Sequence, residues 1–227
     1  MDAFEKVLLS FDDVKVIDSG FVDQKFISLD LSERQSEFCN CIDAEAFETA
    51  VNDYLLKNQA HIAFGGYNEV RNLYSRSGLF KNDSSEERNI HIGIDLWTNA
   101  GTSVLAALDG KIHSFENNIG LGNYGPTIIL EHQFENEIFY TLYGHLSLES
   151  LQNISIGQPF KKGEKLAVLG NSVVNGDYAP HLHFQIIKDL DGNQGDYPGV
   201  CSKSKLDYYL QNCPDPNPLL KINNATL

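Results

Sequence analysis

Hydrophobic and polar positions alternate most clearly over residues 181–187, His-Leu-His-Phe-Gln-Ile-Ile. Read as a strand, this stretch sends Leu182, Phe184 and Ile186 to one face and His181, His183 and Gln185 to the other. Residues 25–31 alternate in the same way, with Ile27, Leu29 and Leu31 on one face, and predict a second strand. Between these lies a helical pattern. Asp43 is placed to cap a helix running to about Asn58, with Glu45 in its first turn and Phe47, Ala50, Val51 and Tyr54 as the buried stripe. From residue 90 onward the apolar runs become short and are broken by turn residues. The runs 104–108 and 111–115 flank Asp109-Gly110, a strong hairpin signal, and 127–131 and 138–143 flank Glu135-Asn136-Glu137. A further run over 165–169 stops at Gly170-Asn171, and the polar stretch 81–88 reads as a loop. The pattern predicts a mainly β protein, a sandwich or open barrel, rather than alternating β and α units.

Composition narrows the partners more than the fold. The chain has 227 residues, enough to bury a sizeable core, and its 31 acidic against 17 basic residues leave a formal charge of -14. No basic cluster interrupts this, so nucleic acid and anionic lipid are excluded as expected partners. The first residues lack the basic and apolar pattern of a secretory signal, and no apolar run approaches the roughly 18 residues of a membrane span. A cytoplasmic protein without a membrane partner is expected, its oligomeric state left open. Cys39 and Cys41 are too close for an ordinary bridge, and Cys201 and Cys213 pair only if the fold allows it. A site of all four thiolates lacks the usual zinc spacing, so free thiols are expected.

The candidate chemistry lies in the histidines. His181 and His183 sit roughly 6.5–7 Å apart along their strand, so one could hold a metal while the other faces its open side. His91 and Asp95, in His-Ile-Gly-Ile-Asp, would be about 13 Å apart in a straight strand, so both reach one ion only if the chain bends near Gly93. Two such ligands with one imidazole from 181/183 would make a three-ligand set, the arrangement of a catalytic zinc. His145, in Tyr-Gly-His-Leu-Ser, follows an alternating strand and adds a further candidate. Other signals carry less. Gly120 to Gly125 matches a nucleotide-type glycine pattern but is followed by Pro126 and a β run, so it reads as a tight loop. Asp189 to Asn193 reads as a turn rather than a calcium loop, and His61, His113 and His132 as structural or solvated. Tyr67, Asn68 and Arg71 lie just upstream, placed to touch substrate, or with Asn68 to plug the metal's open position.

Taken in order, His91-x-Gly93-x-Asp95, Gly101-Thr102-Ser103-Val104, Ala107-Leu108-Asp109-Gly110, Tyr143-Gly144-His145-Leu146-Ser147 and Ala179-Pro180 before His181-Leu182-His183 resemble the lysostaphin-type (LytM-like) zinc endopeptidases. The resemblance runs from about residue 91 to 187. It implies a compact antiparallel β-sheet or open-barrel catalytic domain over 61–222, with a small α+β extension over 1–60. It also implies Zn2+ held by His91, Asp95 and His183, with His145 and His181 as the catalytic pair. Loops over 65–74 and 198–218 would wall a groove, and the substrate would be a peptide or muropeptide. The chain also looks like the peptidase-type segment fused to aminotransferases in some multidomain proteins, which loosens any tie to cell wall. Two other functions are weighed against this. One is a metal-free LytM-like regulatory module, opposed by the presence of all five site residues. The other is a sugar phosphotransferase-type carrier, which the 91–95 stretch resembles but the 181–183 strand fits poorly.

Overall fold

The structure is a computed structural model, and residues 3–32, 38, 43–71 and 86–222 of it are described. Its centre is β13 (His181–Ile187), a seven-residue strand buried along its whole length. It pairs antiparallel with β10 (Glu137–Gly144) on one side and β6 (Ile94–Trp97) on the other. Beyond β10 lie β9 (Gly125–Phe134), β8 (Gly110–Asn118) and β11 (Pro159–Phe160). Beyond β6 lie β3 (Ile62–Gly65) and, parallel to it, β2 (Phe26–Ser28). The protein is mainly β and open, and this eight-stranded sheet does not close into a barrel.

The alternation over 181–187 divides as the pattern predicts. Leu182, Phe184 and Ile186 enter the main core with Ile94, Leu96, Ile128, Leu130 and Tyr143. The strands joined by Glu135 and Asn136 form the expected hairpin, with Phe134 paired to Glu137 and Glu135 at φ 54. The expected hairpin at Asp109-Gly110 does not form. β7 (Ser103–Leu105) pairs with β1 (Ile17–Asp18) and β12 (Lys165–Val168) in a separate three-stranded sheet, so the chain crosses between sheets where a turn was expected. Asp109 instead accepts from Lys161 Nζ at 2.8 Å and Lys162 N at 2.9 Å, which anchors the crossing.

The first sixty residues join the main sheet through β2. Helix α2 (Ala44–Lys57) is capped by Asp43, whose side chain accepts from Ala46 N at 2.8 Å. Its buried Phe47, Val51 and Leu55 pack with Leu29, Leu31, Ala63 and Trp97, with Ala50 and Tyr54 at the margin. The strand expected over 25–31 is shorter than its pattern, though Leu29 and Leu31 are still buried. An amino-terminal helix, α1 (Ala3–Ser10), was not predicted; Phe4 and Leu8 bury one side of it, and Phe4 meets Phe139 edge-on at 5.2 Å. Cys201 and Cys213 are free and buried, whereas Cys39 and Cys41 fall outside the described residues. The expected loop over 81–88 falls outside them up to residue 85, and Arg88 opens β5 (Arg88–His91). Among the described residues no helix is long and apolar enough to cross a membrane.

Candidate metal centre

Register places the site. Directly opposed residues on antiparallel strands share a face, and the register runs Gly65–Asp95–His183–Gly144 across β3, β6, β13 and β10. The next row on that face is Ala63–Trp97–His181. Glycines at both ends of the first row leave room. A Cβ on Gly144 would stand 2.7 Å from the Tyr124 ring, so Tyr124 leans over the sheet only because that position is bare.

His91 arrives from a different sheet. β5 pairs with β14 (Val200–Ser202) and β4 (Glu69–Val70), and the chain leaves it at His91 to enter β6 at Ile94. The bend expected near Gly93 is this change of sheet. A Cβ there would lie 2.5 Å from His183 Cε1, so the bare position also lets His183 approach.

Three ligand atoms converge as a result. His91 Nε2 lies 2.9 Å from His183 Nδ1 and 3.3 Å from Asp95 Oδ1, and His183 Nδ1 lies 3.1 Å from that oxygen. Zinc–nitrogen bonds of about 2.0–2.1 Å in a tetrahedron put ligand atoms about 3.3 Å apart, close to this triangle. The tautomers agree. His91 Nδ1 faces the Gly66 carbonyl at 2.8 Å and must donate to it, leaving Nε2 bare. His183 Nε2 donates to Gln185 Oε1 at 2.9 Å, leaving Nδ1 bare. Two lone pairs and a carboxylate oxygen pointing at one another are a donor set that suits a cation. Burial, with Arg71 nearby, holds the His91 imidazole down to about 4, so it is neutral around pH 7. Burial would raise the Asp95 carboxyl, but His91, Arg71 and His181 outweigh it and hold that group well below its usual range.

His145 and His181 stand beside this triangle, ring centroids 4.2 Å apart. Each donates from Nδ1 to a backbone carbonyl, His145 to Asn175 O at 2.8 Å and His181 to Ala179 O at 2.7 Å. Each therefore has a bare Nε2. His145 follows β10 in the left-handed region at φ 62, which turns its side chain out of the strand's alternation. Burial first, then the His181 and His183 imidazoles, hold His145 well below the usual histidine range; burial also lowers His181.

A cavity of about 240 Å³ opens over these groups, walled by Tyr124, Tyr178, Trp97, Arg71 and Pro198 among others. All five histidine and aspartate positions singled out in the sequence thus line one cavity. Asn68 does not. It is exposed at φ 53 and Arg71 enters the site instead, so Asn68 as a plug is not what the fold builds. Residues 72–74 of the expected groove wall lie outside the described residues. Tyr124, with its hydroxyl 3.3 Å from His183 Nε2, and Asn175 were missed. Tyr124 sits in the glycine loop read as lying beside a groove; nothing in the sequence marks Asn175. His132, by contrast, is structural, bonded to Asp109 O and Thr141 Oγ1.

Residues 89–196 match the family described as Peptidase family M23. A Haemophilus influenzae protein named as an uncharacterized metalloprotease is 36% identical over 95 residues, covering 42% of this chain and 18% of that protein. The chain thus matches about a fifth of that relative's length. Among solved structures, the lysostaphin catalytic domain of Staphylococcus simulans is similar at 26% identity and TM-score 0.37, over 53% of this chain and 80% of that one. A zinc containing peptidase from Vibrio cholerae is similar at 28% identity and TM-score 0.35, over 47% of this chain and 30% of that one.

Proposed function

We propose that this chain, which carries a Peptidase family M23 domain over residues 89–196, is a zinc-dependent endopeptidase. His91, Asp95 and His183 would hold the ion. His145 and His181 would be the catalytic pair. The observation that carries this reading is the triangle of bare ligand atoms from two different sheets, with two more bare imidazole nitrogens beside it. When bound, zinc polarises a scissile carbonyl and makes water a nucleophile near neutral pH.

The remaining work falls to the chain's own groups. No glutamate base follows the His-Glu-x-x-His pattern, so the histidines must move the protons. His145 and His181 meet substrate neutral, their Nε2 lone pairs open because both Nδ1 protons are committed to carbonyls. One Nε2 takes the proton of the attacking water and, as the imidazolium so formed, faces the developing oxyanion, while the other stays unprotonated and accepts a hydrogen bond that orients the water. The proton then passes to the leaving amine. Tyr124 and Tyr178 wall the cavity and keep bulk water from the pair.

The substrate class we favour is a short peptide, peptidoglycan-derived or similar. The test is cleavage of a peptide panel that includes muropeptides, by the full chain with its zinc content measured, before and after chelation. Expected is about one zinc per chain and cleavage abolished by the chelator and restored by zinc. A zinc-free protein as purified, binding peptide without cleaving it even after zinc is added, would favour the regulatory-module reading instead.

A further inference from the structure

Part of what holds the metal-facing side chains comes from outside residues 89–196. Gly66 supplies the carbonyl on His91 Nδ1. Arg71 reaches Asp95. Its Nη1 lies 2.6 Å from Asp95 Oδ2, the oxygen turned away from the two histidines, while Oδ1 faces them. The guanidinium is 2% exposed and lies against Trp97, with Cζ 5.7 Å from the ring centroid. Its Nε lies 2.5 Å from Glu69 Oε2, and Glu69 Oε1 accepts from Leu31 N at 3.1 Å. A continuous line of bonds therefore runs from the amino-terminal segment through Glu69 and Arg71 to Asp95.

We propose that Arg71, braced by Glu69, is a positioning residue for the metal centre, tying down one oxygen of Asp95 so that the other alone is presented to the ion. This rests on the zinc reading above. A carboxylate held at one oxygen by a guanidinium that Glu69 in turn fixes at Nε cannot swing freely to offer both, so the pairing selects single-oxygen ligation. A cation this close to a dication would by itself oppose metal binding. Glu69 on the same guanidinium offsets that charge, which leaves orientation as the net effect. Metal ligands are commonly steadied by such outer partners; here they come from β4 and the residues on either side of it, and through them residues near 31 act on the site.

The test uses the full chain, stripped of metal, with zinc affinity read by competition against a chromophoric chelator. Arg71→Lys keeps the charge and loses the planar group that bridges Glu69 and Asp95. The double variant Arg71→Met with Glu69→Met removes both charges, so neither is left buried alone. Both are expected to bind zinc about 10- to 100-fold more weakly than wild type, with metal-free thermal unfolding little changed and an altered cobalt absorption spectrum reporting a changed carboxylate geometry. Wild-type zinc affinity and an unchanged cobalt spectrum in the double variant would overturn the proposal. If the variants do not fold, the wild type still decides. Adding zinc should shift the guanidinium nitrogen and proton resonances of Arg71, and resonances that neither move nor resist exchange with water would overturn it. A wild type that binds zinc no better than His91→Ala removes the peptidase reading as well, which distinguishes that failure from failure of the clamp alone.

Discussion

Gln185 Oε1 lies 2.9 Å from His183 Nε2, two residues apart on one face of β13, and this contact sets which nitrogen of His183 faces Asp95. The glutamine's own orientation is settled. Its amide nitrogen donates to Pro198 O at 3.2 Å and faces Cys213 Sγ at the same distance, so its oxygen must face the histidine.

Gln185→Leu keeps the bulk and removes the acceptor, freeing the ring to flip or change tautomer. Zinc affinity is expected to fall about 10- to 100-fold. Titration of the metal-free protein against a chelator checks it, and an unchanged affinity would show that packing alone orients the ring.

His145→Ala and His181→Ala should each keep the metal and lose turnover. Neither side chain belongs to the ligand triangle, and both offer a bare Nε2 beside it. Loss of a general acid or base is expected to slow cleavage by about 10²- to 10⁴-fold. Zinc stoichiometry and peptide cleavage, measured on the same preparations, separate this from loss of metal.

Gly93→Ala tests the approach of β5 to β13. The added methyl would stand 2.5 Å from His183 Cε1, 2.7 Å from Nε2 and 3.0 Å from Phe184 O. Either the imidazole or the backbone must yield. A destabilisation of about 1–3 kcal/mol is expected, as for overpacked cores, together with weakened zinc binding; denaturant unfolding with and without zinc reads both. A variant that matches wild type in both measurements would count against the tight crossing.

His132 makes stability depend on pH away from the site. Burial holds its imidazole down to about 4 in the folded protein, against an ordinary value near 6.5. The unfolded chain therefore binds a proton that the folded one refuses between those values, and stability rises with pH there. The contribution is intact above about pH 6.5 and lost progressively towards pH 4, roughly 3 kcal/mol in all. His132→Gln should flatten the pH dependence of unfolding over that window; the same slope in both proteins would place the effect elsewhere.

Local pattern carried a good deal of this molecule. Alternation along 181–187 separated a core face from the face that carries the histidines before any partner was known, because a strand's side chains must alternate whatever lies beside it. The Asp43 cap and the Glu135–Asn136 hairpin were legible for a similar reason, each resting on bonds between residues close in the chain. The Asp109–Gly110 signal misled because the flanking runs found better partners in separate sheets, a choice no dipeptide encodes.

By itself, then, the sequence singled out the five residues that line the cavity and the faces on which several of them lie. Only the tertiary structure decided which nitrogen of each histidine is bare, that Arg71 rather than Asn68 reaches the site, and that Tyr124 and Asn175 help build it. Those outcomes depend on strand registers and loop crossings between segments tens of residues apart. Such contacts are selected by how whole surfaces pack, so they have no signature at the positions that make them.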